Sequence, residues 1–458
     1  MKRRLRPRAS IGSNQSRGRR MRVSTGLATM LALIAVLALG PAGTSAAPAG
    51  TSATAGDNAV VHWSGVAAAA IGAGATPTTF RPPASSSVLG GMVHGAMYDA
   101  VAAVKGGLEP FATGVTAPPG ASADAAVAQA AKDVLVARVP GQASAVQTAY
   151  DAYMASIPNG PAKDAGKAVG TAAAAGMLAM RTGDHFDDVV PWVQPPNGPG
   201  VFEPIGPPPP VDVKLPFVRP FTYESQSKYR PRSPLELTSK RYARDVAEVQ
   251  AYGRVDSAVR TAKQTETARF HSAPTFLQFS GVLRDLANVR GLDLRESARL
   301  LGYVHVATAD TMIACWEAKY HYYFWRPNHA IQRADTDGNP ATSPEAGWLP
   351  LIVGNHPEYP SGHACYTGAV TESLRNYFGT RRVKLVISST AMGAGPPRTY
   401  ETLDELVEDV ENARVWGGLH YRTTMTKTAK HFPQIARDVG RKFFLTDAGR
   451  KHDKHDDD

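Results

Sequence analysis

Four successive stretches constrain the fold before any motif is considered: "SVLGGMVHGAMYDAVAAV", "ADAAVAQAAKDVLVARV", "ASAVQTAYDAYMASI" and "AKDAGKAVGTAAAAGMLAM". Each repeats apolar or small residues at the spacing of one helical face, and Gly, Pro or Asn separates one from the next. Their alanine content implies helices packed at short range, since the side chains at a contact set the interaxial distance. No run of alternating β-branched residues is long enough to build a sheet. The chain reads as all-α.

Helical character stops at Pro191. From there to about Pro234 the sequence runs "PWVQPPNGPGVFEPIGPPPPVDVKLPFVRPF", and so much proline forbids regular helix. This reads as an extended segment across the surface, with helices resuming near Lys240. The chain divides into a head (1–46), an Ala-rich helical region (47–190), the proline-rich segment (191–239), a C-terminal helical bundle (240–446) and a tail (447–458). The tail, within "DAGRKHDKHDDD", reads as a solvated, frayed end rather than a metal site.

The formal charge of +10 suggests a nucleic-acid or membrane partner until the charges are located. Nine of the ten lie in residues 1–46, which hold no acidic residue, so the remainder carries only about +1. Nucleic acid is thereby excluded as the partner to expect. The basic head runs into "GLATMLALIAVLALG", a 15-residue apolar stretch from Gly26 to Gly40, and then into "PAGTSAAPAG". This order marks a secretory signal, cleaved near Ala46 or Ala47. The run is short for the ~20 residues of a membrane span. No such span follows it, so the mature protein is expected outside the cytoplasm and off the membrane. Arg19-Arg20 leaves the choice between the general secretory and twin-arginine routes open. A homo-oligomer is among the assemblies the chain allows. The two cysteines, Cys315 and Cys365, could pair in an exported protein. Both sit in apolar helical stretches, where cysteine is a small hydrophobe, and they read as two buried thiols.

Chemistry concentrates in three places. In "DLRESARLLGYVHVATADTMIACWEAKYHYYFWRP", Asp293 and Glu296 open a helix that Pro327 is expected to end at Trp325 or Arg326. At 100° per residue, Trp316, Lys319, Tyr323 and Arg326 fall within about 80° of each other. A lysine and an arginine then share one face among apolar and aromatic residues, where buried like charges cost several kcal/mol unless an anion meets them. Second, "HPEYPSGH" (His356 to His363) leads into a helix. A helix N-terminus attracts anions, Ser361 adds a hydroxyl, and Gly362 permits close backbone approach. Taken singly, Ser361 is an ordinary N-cap and His363 a core histidine. Third, "TLDELVEDVENARVWGGLHYRTTMTKTAKHF" opens with a capping box of Thr402 and Glu405. Arg414 and His420 would lie roughly 120° apart on one continuous helix. The break at Gly417-Gly418 removes that obstacle.

Lys319, Arg326 and Pro327, then Pro360 to His363, then Arg414 and His420 form K-x6-R-P, P-S-G-H and R-x5-H. In this order they resemble the vanadium-dependent haloperoxidases and the related phosphatidic acid phosphatase type 2 superfamily. The stretches "MVHGAMYDAV", "RTAKQTETARF", "ACWEAKYHYYFWRP" and "HPEYPSGHA" extend the likeness to the secreted bacterial branch over most of the mature chain. The resemblance implies an all-α fold of helical bundles with an oxyanion site in the core of the C-terminal bundle. It implies vanadate as cofactor, a site that phosphate also fills. Lys319, Arg326 and Arg414 would neutralise its oxygens, and Ser361 and the Gly362 N–H would hydrogen-bond to them. His420 would bind the metal, and His363 would act as acid–base group. The family often places Ser before the third-motif Arg and Asp four residues after the last His. Here Ala413 and Thr424 stand in those positions; if that Asp orients the last His, the partner of His420 is a backbone carbonyl or another side chain.

A cage of this kind serves two chemistries. As a haloperoxidase, the protein takes hydrogen peroxide, halide and a small organic acceptor; His363 deprotonates peroxide, and Lys319 and its neighbours polarise it for halide attack. As a secreted phosphatase, His420 attacks phosphorus and His363 protonates the leaving oxygen. Trp316 and His356 occupy positions that line the halide pocket in haloperoxidases, and His at 356 resembles the bromoperoxidases. Peroxidase, with bromide ahead of chloride, is therefore the favoured expectation. An oxyanion-binding protein without turnover is the third reading, and the His363–His420 pair argues against it.

Overall fold

The computed structural model describes residues 58–73, 82–205 and 209–445. The head read as an export signal and the Asp/His tail lie outside the described residues. Helices form wherever the apolar spacing requires them: α1 (Ala59–Gly72), α2 (Pro83–Lys105), α3 (Ala123–Arg138), α4 (Ala143–Ala155) and α5 (Pro161–Met180). After the proline-rich segment come α6 (Lys240–Gly253), α7 (Ala262–Phe270), α8 (Thr275–Val289), α9 (Leu294–Tyr322), α10 (Pro327–Gln332) and α11 (Gly362–Phe378). The short antiparallel strands β1 (Leu385–Ile387) and β2 (Arg398–Tyr400) then pair with Val386 opposite Thr399. Last come α12 (Leu403–Trp416), α13 (Arg422–His431) and α14 (Pro433–Lys442).

Two long helices, α2 and α9, pack along each other and carry the rest. The helix α2 is apolar and long enough to cross a membrane, which corrects the expectation that no such span follows the head. Length and composition do not distinguish a membrane span from a core helix. Here nearly every residue from Ala84 to Ala102 is buried, against α9, α3 and α5. The alanine-rich helices do approach closely. A Cβ added at Gly166 would lie 2.3 Å from the Ser122 carbonyl oxygen, and one at Gly170 would lie 2.3 Å from that of Ala126. Only hydrogen fits between α3 and α5 at these points.

Among its described residues the proline-rich segment holds no α-helix, but it is not extended throughout, since 3-10 turns form at Leu215–Phe217 and Gln226–Tyr229, and it does not simply cross the surface. Phe202, Leu215, Val218 and Phe221 are buried. The Phe221 and Thr222 N–H groups donate to the Asp310 carboxylate of α9 at 2.6 and 3.0 Å. The segment is a strap sewn into the core.

Its pairing also corrects the end of α9. The Asp293–Glu296 capping box starts this helix as expected, but it stops at Tyr322 rather than Trp325 or Arg326. Tyr323 adopts a left-handed φ of 49°. The next groups are claimed by the strap: Phe202 N–H donates to Tyr323 O at 2.6 Å, and Trp325 N–H to Gly200 O at 3.0 Å. The reading of Cys315 and Cys365 as thiols is likewise overturned, because the two form a disulfide. Packing of α9 on α11 brings their Cα atoms to 6.5 Å, within the roughly 4.4–6.8 Å that a bridge spans.

Two predictions follow from this core. Gly170→Val should lower stability by about 1–3 kcal/mol or more in urea melts, because its side chain meets α3 backbone rather than a movable side chain. The second concerns His94 and His305, which are buried and stacked with ring centroids 3.7 Å apart. Burial pushes His94 down from 6.5 to about 4 and His305 well below its ordinary value. Between those pH values the unfolded chain takes up a proton at His94 that the folded chain refuses. Stability should therefore be full above pH 6.5 and fall toward pH 4, by about 3 kcal/mol from His94 alone. Thermal melts across this range check it, and His305→Phe should flatten part of the fall.

Candidate active site

The turn His356 to Pro360 is shaped by cations. Lys319 is fully buried in the last turns of α9. Its Nζ donates to Pro357 O at 2.8 Å, to Glu358 O at 3.2 Å, and to Pro360 O. An ammonium has three donors, and here all three go to the turn. Lys319 is thereby left with its charge, and no N–H, to offer any further partner. Arg326 does not continue the face of α9, since that helix has ended; it is the residue preceding α10. Its Nε donates to His356 O at 2.7 Å and its Nη1 to Leu419 O at 2.8 Å.

The turn then delivers α11. Ser361 is its N-cap, with Oγ accepting from the Ala364 N–H at 3.4 Å. A cap oxygen keeps its own proton to donate, so capping and anion binding are compatible roles. Gly362 is the first helical residue. A Cβ there would sit 3.0 Å from two indole carbons of Trp316, so glycine lets the indole lie against the helix start. Trp316 donates from Nε1 to Val211 O of the strap at 3.2 Å. Its ring is 5.1 Å from that of His356, whose Nδ1 lies 2.9 Å from Arg326 Nη2. The two residues expected at a halide pocket are thus side by side.

The third stretch turns as its glycines require. Arg414 lies in the last turn of α12, and Gly418 has a left-handed φ of 75° with no room for a side chain beside Gly253 and Pro350. The chain reverses and aims His420 back into the site. Its Nε2 is 3.4 Å from Arg326 Nη1, and its Nδ1 is 2.9 Å from Glu358 Oε1. Arg414 donates from Nη1 to His271 O at 2.8 Å, and its buried Nε has no partner. The His363 ring bonds to the backbone of Ala273, and its buried Nε2 likewise has no partner.

Sequence reasoning missed three contributors. Glu358, fully buried, stands inside the quoted "HPEYPSGH", and its placement between prolines beside histidines was the available signal. His271 and Ala273 begin one residue beyond "RTAKQTETARF" and act through backbone groups, which no motif reports.

Burial dominates the electrostatics. It lowers Arg326 to about 10 and Arg414 to about 9, the latter helped by Arg326. It lowers Lys319 well below its ordinary value, again with Arg326 contributing. His356, His363 and His420 are depressed far below theirs, first by burial and then by the neighbouring cations. Burial raises Glu358 to about 7 against the pull of Arg326 and Lys319. Lys319, Arg326 and Arg414 stand against one carboxylate, a formal surplus of two positive charges in a desolvated space. The buried Arg414 Nε and His363 Nε2 each keep a hydrogen-bonding position for an oxyanion to use. The donor set fits an oxyanion such as vanadate or phosphate, with neutral imidazoles to bond to it or exchange protons with it.

Residues 299–445 match the VCPO second helical-bundle domain family. A vanadium chloroperoxidase from Curvularia inaequalis is 34% identical over 108 residues, or 21% of this chain and 17% of that protein. The chain thus spans about a sixth of that relative's length. A bacterial vanadium-dependent iodoperoxidase structure superposes with a TM-score of 0.72 at 20% identity, covering 84% of this chain and 96% of the other. A holo-type bacterial vanadium-dependent chloroperoxidase superposes at 0.65 and 18% identity, covering 79% and 92%. These structures share the all-α fold.

Inorganic phosphate should raise the thermal midpoint of the protein, with about 2.7 kcal/mol of stabilisation at one hundred times its dissociation constant. Arg414→Ala should lose most of that shift, read by calorimetry at fixed phosphate.

Proposed function

We propose that this chain, whose residues 299–445 match the VCPO second helical-bundle domain family, is a vanadate-binding haloperoxidase. It uses hydrogen peroxide to oxidise halide, bromide in preference to chloride, and passes the product to a small organic acceptor. The observation that carries this reading is the gathering of Lys319, Arg326 and Arg414 around the imidazoles of His363 and His420, with His420 Nε2 3.4 Å from Arg326 Nη1. Bound vanadate would supply an electrophilic centre that activates peroxide toward halide while keeping its oxidation state.

Each residue then has a task. His420 offers the Nε2 lone pair as the metal-binding atom, since its Nδ1 is taken by Glu358. Arg326 and Arg414 neutralise the oxyanion, and Lys319 adds its charge from behind the turn. The Ser361 hydroxyl and the Gly362 N–H donate to it at the positive end of α11. His363, held neutral by burial and by Arg414, takes a proton at Nε2 and returns it later. Trp316 and His356 form the wall expected to meet the halide. The basic head and apolar run support export of the mature chain.

Bromide oxidation by the purified protein, measured with and without orthovanadate, tests this. The expected result is a vanadate-dependent rate, higher for bromide than chloride, that falls by on the order of a hundredfold or more in His420→Ala. Hydrolysis of a phosphate ester, inhibited by vanadate and unaccompanied by bromination, would make the same residues a phosphatase.

A further inference from the structure

We infer that Glu358 is the positioning residue for His420: from the turn ahead of α11 it fixes the imidazole's tautomer and direction. This fills the role left open by Thr424, where the family often has Asp. The inference rests on the reading of His420 as the metal-binding side chain.

The Glu358 carboxylate is completely buried, and its hydrogen bonds are specific. Oε1 accepts from His420 Nδ1 at 2.9 Å and from the Tyr421 N–H at 3.1 Å. Oε2 accepts from Thr424 Oγ1 at 3.0 Å. With both oxygens engaged the carboxylate has a fixed plane, and a carboxylate that accepts at Nδ1 leaves the lone pair at Nε2. That Nε2 is the atom facing Arg326. A plain counter-ion would spend its oxygens on cations. Instead Lys319 takes only the Glu358 backbone carbonyl, and the carboxylate's hydrogen bonds go to His420 and the residues just after it. Lys319 also holds the Pro357 and Pro360 carbonyls, so the backbone on either side of Glu358 is anchored.

Thr424 explains how the role could move. It lies on the first turn of α13, four residues after His420, and its hydroxyl already reaches the carboxylate. A carboxylate placed on residue 424 would therefore occupy nearly the same space. The two positions are alternative sources of one group, and this chain uses the one in the turn.

The test combines orthovanadate binding, measured by equilibrium dialysis, with nitrogen-15 NMR of histidine-labelled protein, in which His420→Ala identifies the His420 signal. In wild type, His420 should be the neutral Nδ1–H tautomer. Glu358→Gln keeps the shape with a weaker acceptor and should weaken binding about tenfold; Glu358→Ala should weaken it toward a hundredfold and mix the tautomers. The double variant Glu358→Ala with Thr424→Asp should restore the tautomer and recover affinity to within about tenfold of wild type. Wild-type binding and an unchanged tautomer in Glu358→Ala would overturn the inference. So would weakened binding with an unchanged tautomer that Thr424→Asp does not restore. Should wild type itself bind no orthovanadate, the function proposed above fails, and the tautomer comparison still decides what Glu358 does.

Discussion

The ammonium of Lys319, buried in α9 with its donors on three carbonyls of one turn, is the contact on which the rest of the site depends. A buried charge is costly unless it is fully hydrogen-bonded. Here the peptide dipoles of the turn meet that need. Arg326 adds a bond to the fourth carbonyl, that of His356. Carbonyl oxygens thus face back toward the cations, while Ser361, the start of α11 and the Glu358 side chain are presented forward. The disulfide between Cys315 and Cys365 ties the same two helices one turn away.

Burial lowers both kinds of group collected there, and their different starting points give opposite charge states. The arginines are lowered only to about 10 and 9, and so remain cations at neutral pH. The imidazoles begin near neutrality, and the same desolvation holds them unprotonated. A fixed positive field beside neutral nitrogen bases is what an anionic, proton-exchanging chemistry requires. No histidine has to be discharged before it can act.

Some of this was legible in the sequence, and the physical reason is range. The capping boxes at Asp293 and Thr402 are exchanges between residues three apart, and the Gly417-Gly418 reversal is a local backbone necessity. Spacing therefore located both. What stayed hidden was set from a distance. Tyr323 leaves the helix because Gly200 to Phe202 compete for its neighbours, and nothing near Pro327 announces that. Glu358 went unnoticed because periodicity reports helix faces and says nothing about which loops are buried. The thiols were misread because apolar surroundings describe a buried disulfide as well as a buried cysteine. The hydropathy of α2 was equally ambiguous between lipid and protein as its surroundings.

The strap and the α7–α8 loop have a further consequence. Residues 299–445 contain every candidate site residue, and they look like a module that could be lifted out whole. Yet Trp316 is held by Val211, Arg414 by His271, His363 by Ala273, and Tyr359 by Arg232. Each of these supports is a backbone group, so it contributes position without regard to side chain. Transplanted alone, the bundle would bring its chemistry and leave behind the scaffold that aims it. The unit of inheritance for this site is therefore larger than the segment that spells it.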